Sequence, residues 1–138
     1  MEQKDYLMKQ VEQFGLALGK ILARLLHLKD NGTESIVAVN QVFTEELDFD
    51  VNHLIDIDED KWLDTLKTEN RFNAENLERL ADILLLVAEN VSLNERNQLC
   101  KKCRMIYEYL DESTKTYPFD RNSKMERIRK YMNENVNN

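Results

Sequence analysis

The feature that most restricts this chain is a seam of apolar residues near its start. Leu7, Val11, Phe14, Leu18, Ile21, Leu25 and Leu28 recur at alternating steps of four and three. Such a heptad seam puts all of these side chains on one side of an α-helix. The spacing predicts a helix over about residues 4–30. Met8, Gly15, Leu22 and Leu26 make a second row, so the apolar face is wider than a two-stranded coiled coil requires. Gly15 and Gly19 lie one turn apart and are expected to let another backbone approach, each weakening the isolated helix by about 1 kcal/mol. Asn31-Gly32 supplies the stop, because glycine accepts the left-handed conformation past a helix end.

The rest of the 138 residues reads the same way. Three Gly and one Pro are too few for the frequent turns of a β-sandwich or barrel. Gly15, Gly19 and Gly32 form neither common phosphate-cradling pattern. Thr33 is read as the N-cap of a helix over 33–47, with the β-branched run Ile36–Val39 leaving a short strand as the competing reading. A helical turn is expected near 52–55. Asp58 then caps a helix ending near Thr68, with Ile57 and Trp62 as a hydrophobic staple. Asn73 caps the next, with Phe72 and Leu77 as a second staple. This helix is apolar nearly all round, through Leu80, Ala81, Ile83, Leu84, Leu85, Leu86 and Val87, and so must sit at the centre. Ser92 and Glu95 form a capping box for a helix reaching about Asp111. Pro118 precedes a last helix over 120–133, and 133–138 is expected as a frayed tail of one domain spanning 1–138.

Two resemblances attach to these residues. Leu77, Leu80-Ala81, Leu84 and Ala88, then Leu99, Cys103, Tyr107 and Leu110, then Pro118 before a new helix, resemble a degenerate tetratricopeptide hairpin over about a third of the chain. The opening Asp5–Phe14, with Lys20-Ile21-Leu22, resembles a group of uncharacterised small bacterial helical proteins. The first resemblance implies hairpin packing and binding of protein segments in a groove; the second implies no activity. The expected fold is therefore all-α: about six helices packed as tetratricopeptide-like antiparallel hairpins, led by a long heptad-patterned helix.

Charge narrows the function. The net charge is −7, distributed as +1 over residues 1–30, −11 over 31–90 and +3 over 91–138. A middle so acidic repels a phosphate backbone, which argues against nucleic acid. The polar start Met1–Asp5 does not read as a signal peptide, and the stretch Phe14–Leu28 is too short and too basic to span a bilayer, so a cytoplasmic location is expected.

No chemistry stands out. Cys100-Lys101-Lys102-Cys103 has redox spacing but falls mid-helix on the apolar stripe, so two buried, inert thiols are expected. Asp56–Asp60 begins like a calcium loop and then fails, with Lys61 where glycine is needed. His27 and His53 share no motif with the cysteines or with a nucleophile. The expectation is no catalytic residue, no metal site and no cofactor. The leading reading is a protein-interaction or assembly module, a homodimer or a partner complex, using the face Leu7, Phe14, Leu18, Ile21 and Leu25. The competing reading lays the same helix on an anionic membrane through Lys20, Arg24 and Lys29.

Overall fold

Local sequence explains each of five helices. The computed structural model describes residues 2–30, 41, 44, 45, 53 and 56–137, with side chains described from 5 to 27 in the first helix and up to 133 in the last. Helix α1 spans Glu2–Asp30, and Asn31-Gly32, read as its stop, lies outside the described residues. Helix α2 is Glu59–Thr68. Acidic Glu59 and Asp60 in its first turn and Lys67 in its last complement the helix dipole. Helix α3, Ala74–Ala88, starts where Asn73 Oδ1 accepts the Asn76 backbone N–H at 2.9 Å. Helix α4 is Leu93–Thr114 and α5 is Phe119–Asn137.

Several expectations need correction. Five helices are described where about six were expected. The helix over 33–47 and the turn near 52–55 fall mostly outside the described residues. Asp58 and Ser92 take the extended N-cap backbone, yet neither side chain makes a cap hydrogen bond, so the Ser92–Glu95 capping box does not form. Helix α4 runs three residues past Asp111. It ends at Lys115, whose left-handed φ of 56° takes the place usually given to glycine, while its N–H bonds Asp111 O at 3.1 Å.

The α3–α4 pair is the middle of the structure. Ala81 meets Cys103, Asp82 meets Tyr107 and Ala88 meets Arg96, so the two helices run antiparallel as the short connection demands. Ten residues of α3 are buried, in keeping with its all-round apolar sequence. The other helices pack on this hairpin. Helix α1 runs along α3 in the same direction, with Val11 beside Asn76 and Gly15 beside Arg79. Helix α2 lies along α4, where the Trp62 indole donates to Lys102 O at 3.1 Å and so satisfies its one polar atom. Helix α5 returns antiparallel to α4.

The α1 seam proves to be core. Phe14, Leu18, Ile21 and Leu25 are 3%, 0%, 0% and 4% exposed. The chain's own α3 covers them, because a parallel neighbour with an all-round apolar surface needs a cover on that side. Four of the five residues expected to form an intermolecular face are thus already used. Leu7 alone, at 42%, remains open. Residues 5–9 are all exposed, since α1 overhangs the start of α3 by two to three turns. Among the described residues no helix is long and apolar enough to cross a membrane.

Candidate functional site

The overhang, the start of α3 and the α4–α5 turn come together at one end of the bundle. Asn76, 1% exposed, is the polar node there. Its Nδ2 donates to Val11 O at 3.1 Å and to Arg71 O at 2.8 Å, while its Oδ1 accepts from Arg79 Nη1 at 2.7 Å. One amide therefore ties α1, the α2–α3 loop and α3 together with its hydrogen-bonding groups used. Gly15 makes this possible: a methyl there would sit 2.8 Å from Asn76 Oδ1 and 3.0 Å from Arg79 Nη1. Beside the node, Phe14 meets Phe72 edge-on at 4.9 Å, and the Arg71 guanidinium lies 4.5 Å from the Phe14 ring. Arg71 also bonds Glu69 at 2.9 Å, which holds the Glu69 carboxyl below its usual range.

Two shallow cavities open on this end. One, about 340 Å³, is lined by Val11, Gly15, Leu16 and Asn76; the other, about 300 Å³, by Glu78 and Arg121. They share Glu75 and Arg79, so they form one continuous concave surface. Leu16 is the large exposed apolar side chain that lines it, and others stand exposed at the same end of the bundle. Tyr6 and Met8 are on the α1 overhang, Leu16 is on the cavity wall, and Tyr117 and Phe119 flank Pro118. Arg121, which donates to Thr116 O and to Glu78, places that turn against the first turns of α3.

The other sequence candidates are dispersed. Cys100 and Cys103 are fully buried and unpaired. Burial pushes the Cys100 thiol up to about 11 and the Cys103 thiol well above its usual range. Cys103 Sγ donates to Ala81 O at 3.1 Å, and thiols so placed are poor nucleophiles. The intervening lysines serve the acidic stretch instead. Lys101 reaches Glu59 at 3.8 Å. Burial lowers the pKa of Lys102, and Asp56, Glu59 and Asp58 oppose that shift. His53 borders a separate cavity of about 380 Å³ with Ile57, Thr65 and Phe72, remote from the thiols in sequence and in contact. Among the described residues no group of three potential metal ligands is assembled.

The basic residues proposed to touch a membrane fare similarly. Arg24 bonds Glu45 at 3.0 Å, and the apolar side chains beneath Lys20 and Arg24 lie inside the bundle. Lys29 falls outside the described side chains.

Sequence reasoning missed Asn76 and Arg121 as buried polar groups. Asn76 was hidden by its position in an apolar helix. Arg121 carried a signal: Glu78, Asp82 and Glu89 share one stripe of α3, and Arg121, Lys124 and Arg127 repeat at three-residue spacing on α5. No protein-family model, curated protein or solved structure matches the chain.

Proposed function

We propose that the chain is a cytoplasmic, non-catalytic protein-interaction module. The observation that supports this best is Leu16, 69% exposed on the wall of the concave surface, together with Tyr6 and Met8 exposed on the α1 overhang and Tyr117 and Phe119 exposed at the α4–α5 turn. Single exposed apolar residues are ordinary, but several at one end of a bundle, one of them on a concave wall, favour a docking site for protein. The tetratricopeptide resemblance adds to the reading, since such hairpins bind segments of other proteins. The buried free thiols suit a reducing compartment. No cofactor and no nucleic acid enter this reading. A homodimer through the heptad seam is not the form proposed, because that seam is core. The overhang alone is too short to bury the roughly 1,200 Å² of a stable interface.

Leu16→Glu and Phe119→Glu change exposed positions and leave the core intact. Affinity capture with wild type and with each variant, followed by mass spectrometry, tests the reading. A protein recovered by wild type and lost with both variants is the expected outcome. Identical recovery by all three overturns the assignment of this surface.

A further inference from the structure

We propose that α5 is an ionic latch that seats on α3 and α4 and keeps the thiol of Cys100 away from solvent. The inference stands apart from the docking surface above. Its first ground is how α5 is held. Arg121 donates to both oxygens of Glu78 at 2.8–3.1 Å and to Asp111 at 2.7 Å. Lys124 meets Asp82 at 2.9 Å. Arg127 meets one oxygen of Glu89 at 2.5 Å, and the Tyr131 hydroxyl donates to the other at 2.6 Å. The pairs form a ladder in which α5 ascends parallel to α3. Of the described α5 side chains, Ile128 is the one apolar residue that is fully buried. Helices α3 and α5 meet through these long side chains, whereas α3 and α4 pack closely. Met125, Tyr131 and Met132 pack against the core only in part, so the charged pairs hold much of this seat, and the more exposed of them are what added salt screens.

The second ground is what lies under the latch. Asp82 Oδ1, which holds Lys124, also accepts the Tyr107 hydroxyl at 2.6 Å. Cys103 precedes Tyr107 by one turn of α4. Cys100 is one turn further back, beside Arg96, whose guanidinium lies 5.0 Å from the Tyr131 ring. Lifting α5 therefore bares the side of α4 that carries Cys100, while Cys103 stays bonded to Ala81 of α3. The third ground is the hinge. Residues 115–118 are not helical, Lys115 holds a left-handed φ, and Pro118 prevents a continuous helix through the turn, so α5 can leave without unwinding α4.

The test measures thiol labelling of the full chain by an aromatic disulfide reagent at about 0.05 M and about 1 M sodium chloride. Trp62 fluorescence reports the α2–α4 packing in parallel. Labelling is expected to rise about tenfold at high salt with the Trp62 signal unchanged. Hydrogen exchange should show loss of protection over 119–133 while 77–87 stay protected. Arg127→Glu sets a like charge against Glu89 at a half-exposed site. This variant should label faster than wild type at low salt, and the gap between the two should narrow as salt is added. A wild-type rate that is flat across salt overturns the latch, as does labelling that rises only together with loss of the Trp62 signal. So does an Arg127→Glu variant that labels like wild type at low salt.

Discussion

Helix α3 is gripped from two sides in two different ways. Helix α1 meets it with Phe14, Leu18, Ile21 and Leu25, all nearly dry, and with a single polar node at Asn76. Helix α5 meets it with Arg121, Lys124 and Arg127 against Glu78, Asp82 and Glu89. The apolar seat draws on area removed from water, about 1.5–3 kcal/mol for each fully buried aliphatic side chain. The ionic seat sets Coulomb attraction against desolvation, and its outer pairs contribute at most about 1 kcal/mol each. Two helices of similar exposure to solvent thus differ in what can remove them. Denaturant should act on both, while salt should act on one.

The largest expected effect breaks the apolar side. Leu18→Ala removes a fully buried side chain and should cost about 3 kcal/mol, read as a lower urea midpoint that barely depends on salt. The matching change on the ionic side is Glu78→Gln. It leaves Arg121, 7% exposed, with Asp111 as its remaining carboxylate partner. The loss should be about 2 kcal/mol, below the full figure for a buried pair because Glu78 is 30% exposed. Hydrogen exchange should place that loss in α5. If Glu78→Gln lowers protection equally in α1, the two seats are not independent and the contrast fails.

A second prediction concerns the thiols between the seats. Burial raises the Cys100 pKa from 9.0 to about 11, and Cys103 moves the same way. The unfolded chain therefore releases these protons at lower pH than the folded one. Their contribution to stability is complete below about pH 9 and is lost as pH rises toward 11. Cys100 alone accounts for about 2–3 kcal/mol of that loss. Urea midpoints at pH 8 and at pH 11 measure it. Cys100→Ala should flatten the profile. An unchanged profile in the variant would place the alkaline loss on other groups.

The apolar half of this comparison was legible in the sequence, and the ionic half was not. Seven apolar residues at heptad spacing define a helix whatever covers them, so α1 and its inward face could be read directly. What covers them could not, because the same stripe serves a neighbouring helix of the same chain or of another. The choice was settled by α3, whose Leu80–Val87 run is apolar on more sides than α4 alone can bury. The ladder was harder. Charged residues at three- and four-residue spacing occur on any solvated helix, and only the antiparallel return of α5 brings Arg121 to Glu78 across 43 positions. The concave end was hidden for a related reason: Leu16, Asn73 and Arg121 are distant in sequence and come to line one surface only in the folded chain. Cap side chains were over-read, since Asp58 and Ser92 fit the positions without making the bonds.

The smallest effect tests the apolar seat at its one polar point. Gly15 and Gly19 lie on the same helix, and sequence alone assigned them one role. Structure separates them. Nothing lies within 4 Å of a methyl at Gly19, so Gly19→Ala should gain helix propensity and stabilise by up to about 1 kcal/mol. A methyl at Gly15 presses on Asn76 Oδ1 at 2.8 Å. A free asparagine would swing away. Asn76 is pinned by Val11 O, Arg71 O and Arg79, so moving it breaks hydrogen bonds in a buried site. That loss should outweigh the propensity gain and leave Gly15→Ala less stable than wild type by about 1 kcal/mol. Thermal melts of the two variants side by side decide it. Opposite shifts place Asn76 as a clamp on α1, whereas two upward shifts mean that the node yields and α1 rests on its apolar side chains alone.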